Sequence, residues 1–122
     1  MDPKMTVLLC DDSRAMRMVT TTVLADHGFD VVAEAGDGIA AVEQYKAHKP
    51  DVVLLDLVMP KCDGQQALRE ILEHDPAAKV VILSSLGSQA GIEECLRMGA
   101  LSYLQKPIDS ASLVRVLRDL AA

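Results

Sequence analysis

Aromatic residues are scarce in this chain of 122 residues, which contains two Tyr, one Phe and no Trp. Half of the residues are hydrophobic, so the core must be built from Val, Leu, Ile, Ala and Met. A chain of this length suits one domain with a substantial core. Its hydrophobic content also argues against a disordered protein.

Positive charge is in short supply, because 12 Lys and Arg face 18 Asp and Glu, for a formal net charge of -6 at pH 7. Binding to nucleic acid through phosphate contacts needs a basic surface, so we expect no direct nucleic-acid binding.

No apolar run approaches the ~20 residues that cross a bilayer. Asp2 and Lys4 interrupt any apolar start of a signal peptide. We expect a cytoplasmic protein without membrane insertion.

Cysteine is limited to Cys10, Cys62 and Cys95, which are odd in number and widely spaced. The sequence has no CxxC motif, and no His lies at zinc-ligand spacing from a Cys. Reduced thiols in a cytosolic protein are the simplest interpretation.

Apolar runs rich in Val, Leu and Ile alternate along the chain with segments of helical period. The runs predict strands over 5–10, 30–35, 51–56, 79–84 and 102–105. The periodic segments predict helices over 14–27, from the cap Asp37 to about 48, over 65–73, over 89–98, and after the cap Asp109. This alternation is typical of a parallel sheet covered on both faces. We expect an α/β, flavodoxin-like (βα)5 doubly wound fold with strand order 2-1-3-4-5.

Apolar spacing also predicts which side of each helix faces the core. The residues expected to face inward on the first helix are Met16, Val19, Val23 and Leu24. Those expected on the last helix are Leu113, Val116, Leu117 and Leu120, with Val114 exposed at the margin of this stripe.

Acidic residues end two of the apolar runs. Asp11 and Asp12 follow the first strand, and Asp56 ends the third. Ligands bind outside the carboxyl ends of parallel strands, and the expected order makes these two strands neighbours. Three close carboxylates repel one another and favour a hard cation such as Mg²⁺. A plainer interpretation of the acid pair is a loop that caps the first helix, although one aspartate would suffice for that.

Ser84 and Lys106 end the fourth and fifth strands, so we expect them at the same edge of the sheet. A lysine there suits an incoming phosphoryl group, and a hydroxyl could donate to one of its oxygens. Structural alternatives exist, because serines often begin loops and a proline such as Pro107 often ends a strand. A buried lysine nevertheless needs an anionic partner. The sequence leaves the isomer of the Lys106–Pro107 bond open.

With the motifs DVVLLDLVMPKCDG, VVILSS and YLQKP, these residues resemble a response-regulator receiver domain of two-component signalling, CheY-like in type. The resemblance covers essentially the whole chain. It implies that Asp56 accepts a phosphoryl group from a histidine kinase or its phosphohistidine domain. It implies that Asp12, Asp56 and the carbonyl of Val58 bind Mg²⁺, with Asp11 acting through water. Lys106 would contact the phosphoryl group.

The resemblance also implies a route for the signal. Ser84 would move toward the phosphoryl group, and Tyr103 would turn inward behind it. The output surface would include Ile92 and Tyr103, on the face formed by the fourth helix, the fifth strand and the fifth helix. A downstream protein target would bind there, and chemotaxis is the pathway that the resemblance suggests. Ordinary packing of a lone Tyr in a short edge strand remains an alternative.

Two positions depart from the pattern of many family members. Val58 stands two residues after Asp56, and Leu86 stands two residues after Ser84. Polar side chains at these positions can orient an attacking water. We therefore expect slow spontaneous hydrolysis of the aspartyl phosphate.

The function predicted is a phosphoacceptor switch with self-phosphorylation and self-dephosphorylation chemistry, rather than a turnover enzyme. A phosphohydrolase with an aspartyl-phosphate intermediate generally has a second acid where Val58 stands. A flavin-binding module of this fold would need a phosphate-cradling loop where Asp11 and Asp12 would repel the phosphate.

We expect one monomeric receiver domain over residues 1–122 without an output domain. A receiver module of a larger regulator is the alternative.

Overall fold

The computed structural model describes residues 4–59, 63–85 and 89–121, which form five strands and five helices in alternation. The strands are β1 (Thr6–Cys10), β2 (Asp30–Ala35), β3 (Val52–Asp56), β4 (Val80–Ser84) and β5 (Ser102–Gln105). The helices are α1 (Arg14–Asp26), α2 (Gly38–His48), α3 (Gly64–His74), α4 (Gln89–Met98) and α5 (Ser110–Ala121). Every predicted element is present, and the predicted bounds differ from these by one residue at most.

The strands form one parallel sheet in the order β2-β1-β3-β4-β5, as predicted. Cys10 of β1 lies opposite Leu55 of β3, and Ser84 of β4 lies opposite Gln105 of β5. This register brings the residues that follow or end β1, β3, β4 and β5 to one edge of the sheet. The topology is therefore what places the polar strand ends together.

The sheet separates two apolar layers, because successive side chains of a strand point to opposite faces. Leu8 and Leu55 belong to the layer beneath α2, α3 and α4. Val7 and Leu54 belong to the layer beneath α1 and α5. Both β3 and β4 are buried along their whole length, as expected for central strands covered on two faces.

Polar side chains cap the starts of α2 and α5. The carboxylate of Asp37 accepts a hydrogen bond from the Ala40 N–H and caps α2, as predicted. Asp109 accepts one from the Ser112 N–H at the start of α5, again as predicted. Such caps satisfy N–H groups that have no partner within the helix. None of the helices in the described ranges has the length and apolar character needed to cross a membrane.

The predicted exposure was wrong at Val19 and at Val114. Val19 is 61% exposed, and Thr20 is buried in its place, because the inward side of α1 follows Thr20 and Leu24. Val114, predicted to be exposed, is only 6% exposed. It belongs to the buried apolar layer that also contains Leu24 of α1 and Leu113 of α5.

Ile92, predicted at the output surface, is also buried. It is 7% exposed and belongs to the layer beneath α2, α3 and α4. Val114 belongs to the opposite layer. These two residues therefore do not form one surface patch with Tyr103.

Candidate functional site

Three aspartates meet at the carboxyl edge of the sheet. One carboxylate oxygen from each of Asp11, Asp12 and Asp56 lies within 4.8 Å of the others. Asp11 and Asp56 are 2% and 3% exposed, whereas Asp12 is exposed. The sequence predicts this cluster from the positions of the three acids at strand ends, and β1 and β3 bring them together.

Asp11 is held at each of its polar groups. Its N–H donates to the Ala35 carbonyl over 3.0 Å, and its Oδ1 accepts from the Ser13 N–H over 2.9 Å. Its Oδ2 lies 2.9 Å from the Lys106 ammonium. The Asp12 carboxylate has no hydrogen bond or ion pair within the described part of the chain and faces solvent. The two neighbouring acids therefore differ, since one is rigidly bound and the other is available to a ligand.

The Asp56 carboxylate lies between an amide and an ammonium. Its Oδ1 accepts a hydrogen bond from the Val58 N–H over 3.2 Å, and its Oδ2 accepts one from Lys106 Nζ over 3.0 Å. Burial raises the pKa of Asp56 above its ordinary value of 3.8, although the hydrogen bonds from Lys106 and Val58 act to lower it. The charged form is therefore costly, and further positive charge at this edge would stabilise it.

Lys106 bridges the two buried acids, with Nζ 2.9 Å from Asp11 Oδ2 and 3.0 Å from Asp56 Oδ2. Burial by itself would lower the pKa of this ammonium. The hydrogen bonds to Asp11 and Asp56 outweigh burial and raise that pKa above 10.5. The peptide bond between Lys106 and Pro107 is cis, which answers the question that the sequence left open. Lys106 is only partly buried, and the anionic partners that the sequence led us to expect for it are present.

Ser84 ends β4 beside this cluster, where its side chain is fully buried. Its hydroxyl has no hydrogen-bond partner among the residues that the structure describes. Leaving a buried hydroxyl unpaired costs about 1–3 kcal/mol. A hydrogen-bond acceptor that entered this edge of the sheet would therefore be stabilised by Ser84.

The remaining predicted residues lie around the cluster or outside the described ranges. Val58 is 67% exposed, so its side chain points away from the core while its N–H contacts Asp56. Tyr103 is 46% exposed on the edge strand β5. Leu86 and Cys62 lie outside the described residues.

Two contacts of this site were not predicted from the sequence. The Arg17 guanidinium donates a hydrogen bond to the Asp11 carbonyl, and its Nε lies 3.1 Å from Glu34 Oε1. Gly64 allows α3 to begin close to β3, because a Cβ at this position would lie 2.5 Å from the Asp56 carbonyl oxygen. The only local signals were an arginine one turn after the acid pair and the Asp–Gly pair that precedes α3.

Comparison with known proteins places these features in a family. The model of the response regulator receiver domain matches residues 7–118. The chain is 39% identical over 111 residues to the chemotaxis protein CheY of Thermotoga maritima, which covers 91% of this chain and 92% of the relative. It is 44% identical over 105 residues to CheY of Treponema pallidum, with 84% of this chain and 73% of the relative covered.

A solved structure gives the same result. A chain of the crystal structure of the CheX-CheY-BeF3-Mg+2 complex from Borrelia burgdorferi superimposes with a TM-score of 0.92 at 35% identity. The match covers 97% of this chain and 90% of that one. Since the strand order, the family model and these relatives agree, the chain belongs to the receiver domains of two-component response regulators, with CheY-like proteins among its relatives.

Proposed function

We propose that this chain is a phosphorylation-dependent switch that accepts a phosphoryl group on Asp56. The observation that carries the proposal is a buried carboxylate bound to an ammonium, beside a buried hydroxyl that has no partner in the described ranges. Receiver-domain relatives in chemotaxis support the same function. The phosphodonor would be a histidine kinase or its phosphohistidine domain.

The residues at the edge of the sheet would divide the chemistry among them. A carboxylate oxygen of Asp56 would form a bond to phosphorus while the bond from phosphorus to the donor histidine nitrogen breaks. Lys106 would neutralise charge on the transferred group, and the Ser84 hydroxyl would donate to one of its oxygens. Phosphoryl transfer depends mainly on such positioning and charge neutralisation. With small phosphodonors the chain would phosphorylate itself. Attack by water on the phosphorus of the product would break its bond to Asp56, release inorganic phosphate and restore the free carboxylate.

Mg²⁺ is the cofactor that this set of donors fits, because it prefers oxygen ligands and retains several waters. Asp12, Asp56 and the Val58 carbonyl would bind it, and Asp11 would act through water. When bound, the ion would supply the positive charge that the close carboxylates and the phosphoryl oxygens require. The exposed Asp12 and the raised pKa of Asp56 both support this assignment.

The signal would reach a downstream protein through a change in surface. An aspartyl phosphate adds charge and acceptor oxygens, which can shift a two-state element. Ser84 would be drawn toward the new group, and Tyr103 would turn from its exposed position toward the core. One of the structural relatives is a complex of CheY with a second protein, CheX, which supports a protein partner for this chain. We propose a role in chemotaxis-type signalling, carried out by a monomer.

The proposal is tested by treating the purified protein with acetyl phosphate and Mg²⁺ and measuring its intact mass. We expect wild type to gain one phosphoryl group and Asp56→Asn to gain none. Asp30→Asn is the matched control, because Asp30 is an exposed acid at the start of β2, at the amino ends of the strands and away from the acid cluster. It should be labelled like wild type. Full labelling of Asp56→Asn would contradict the assignment.

A further inference from the structure

Arg17 connects the acid pair to the edge strand of the sheet. Its guanidinium donates to the carbonyl of Asp11 and, through Nε, to Glu34 on β2. The side chain of Arg17 is 17% exposed, and that of Glu34 is 46% exposed. The contact with the Asp11 carbonyl is therefore the better shielded of the two. A hydrogen bond from a charged donor is also about twice as strong as a neutral one.

The carbonyl that Arg17 binds belongs to the peptide that joins Asp11 to Asp12. A peptide unit is planar, so a bound carbonyl also fixes the direction of the Asp12 N–H. The N–H of Asp11 is already bound to the Ala35 carbonyl on the other side. Arg17 thus completes the restraint of the backbone that carries Asp12, whose own carboxylate has no partner in the described part of the chain.

The local backbone leaves room for this arrangement. Gly36 follows β2, and a Cβ at that position would lie 3.3 Å from Arg17 Nη1. Any larger residue would therefore press on the guanidinium. On the β2 side, Glu34 accepts a hydrogen bond from Arg17, and Gly36 leaves space for the guanidinium.

We infer that Arg17 is a positioning residue for divalent-cation binding by Asp12, an inference that rests on the function proposed above. Arg17 acts through the Asp11 carbonyl and does not touch the cation or the phosphoryl group. Partners that orient the ligands of a metal typically contribute about 10- to 100-fold in affinity. A held peptide restrains the backbone of Asp12, from which its carboxylate reaches the neighbourhood of Asp56.

Simple electrostatics predicts the opposite change in Mg²⁺ affinity when Arg17 is removed. Removing a positive charge near three carboxylates should strengthen the binding of a cation. Arg14→Met measures this effect, because Arg14 begins α1, is exposed and makes no hydrogen bond or ion pair among the described residues. If Arg17 is a positioning residue, Arg17→Met should instead weaken binding.

The test is to titrate each variant with Mg²⁺ alone and to measure the affinity by isothermal titration calorimetry. We expect Arg17→Met to bind Mg²⁺ about 10-fold more weakly than wild type. Arg14→Met should bind it equally or more tightly. Arg17→Lys keeps the charge but not the planar fork, so its affinity should fall between wild type and Arg17→Met. Glu34→Gln should cost less than either Arg17 variant, because the bond to the carbonyl remains.

A second measurement uses the metal-free protein. The carbonyl carbon resonance of Asp11 and the amide resonance of Asp12 should shift in Arg17→Met and stay in place in Arg14→Met. A purely stabilising role for Arg17 would lower the melting temperature without changing the Mg²⁺ affinity of the folded variant.

The outcomes separate this inference from the function on which it rests. Mg²⁺ binding and labelling of wild type, with unchanged or tighter binding by Arg17→Met, would overturn the inference alone. If Arg17→Met does not fold, Arg17→Lys decides, and wild-type affinity in that variant would overturn the inference. Absence of Mg²⁺ binding by wild type would overturn both.

Discussion

The side chain at position 58 determines what lies next to the Asp56 carboxylate on the solvent side. Val58 is 67% exposed and apolar, so it offers no group to orient a water molecule. We predict that Val58→Asn, Leu86→Glu or both will shorten the lifetime of the aspartyl phosphate. Full general acid–base catalysis contributes ~100-fold or more, so we expect a smaller acceleration, on the order of 3- to 10-fold. The rate is measured as loss of phosphoryl mass after acetyl phosphate is removed.

A matched control separates this effect from a general change in surface polarity. Val19 is 61% exposed in the middle of α1. Val19→Asn should therefore leave the decay rate unchanged. Unchanged or slower decay in Val58→Asn, Leu86→Glu and the double variant would show that these positions do not limit hydrolysis.

Asp12 is the acid of the cluster that is accessible to a cation. We predict that Asp12→Ala will lose most of the affinity for Mg²⁺ and keep its fold, because the carboxylate is exposed and makes no contact in the described ranges that stabilises the protein. Calorimetric titration is suitable because the chain lacks Trp. Asp30→Ala removes an exposed acid at the amino ends of the strands and should bind like wild type. Wild-type affinity in Asp12→Ala would exclude the acid pair as the metal site.

At the scale of secondary-structure elements, a partly buried hydrogen bond joins α2 to the end of α3. The Tyr45 hydroxyl donates to Asp75 Oδ2 over 2.7 Å. Burial, together with this bond, raises the pKa of Tyr45 to about 12. The same bond, with help from the Ala77 N–H, lowers the pKa of Asp75 below its ordinary value of 3.8.

This link predicts how the free energy of unfolding depends on pH. A carboxyl whose pKa is lower in the folded state stabilises the protein above its unfolded pKa, and this stabilisation disappears as the pH falls through the folded pKa. Tyr45→Phe should therefore be less stable than wild type at neutral pH, and the difference should shrink in acid. Urea unfolding between about pH 3 and pH 7 measures it. A difference that stays constant with pH would mean that the bond to Asp75 does not contribute.

The output face that the family resemblance predicts on α4, β5 and α5 differs in its surface residues from the prediction. Ile92 and Val114 are buried in opposite layers, so Tyr103 is the exposed member of the predicted set. We predict that beryllofluoride with Mg²⁺ will shift resonances at Ser84 and Tyr103 as well as at the acid cluster. Asp56→Asn should show no such change. Shifts confined to the cluster would place the output elsewhere.

Coupling between the site and a partner must be reciprocal. A partner that binds the phosphorylated form more tightly should stabilise that form by the same factor. Phosphorylation can shift the position of Tyr103 only if the two states differ in their contacts with the new group.

For the whole molecule, cation binding should be visible as thermal stability. A ligand that binds only the folded protein at about 10 times its Kd stabilises it by ~1.4 kcal/mol. For a domain of this size we expect the melting temperature to rise by about 5 °C. Differential scanning calorimetry with and without Mg²⁺ measures the shift. Asp12→Ala should show no increase, and an equal increase in that variant would indicate binding elsewhere.

The fold of the molecule was predictable because its signals are local. Long apolar runs rich in β-branched residues indicate buried strands, and polar caps such as Asp37 and Asp109 begin helices where the sequence places them. Alternation of strands and helices then restricts the topology to a few parallel sheets. Because that order makes β1 and β3 neighbours, the convergence of Asp11, Asp12 and Asp56 was predictable from the sequence.

What only the tertiary structure decided concerns contacts between elements that are distant in the chain. Val114 is buried in the apolar layer beneath α1 and α5, whereas Val19 is exposed, because burial depends on the neighbouring elements and not on hydrophobicity alone. The bond from Arg17 to the Asp11 carbonyl and its ion pair with Glu34 exist because β2 lies beside β1. Sequence by itself determined the elements, their order and the acids at the strand ends. Three-dimensional packing determined how those acids are held.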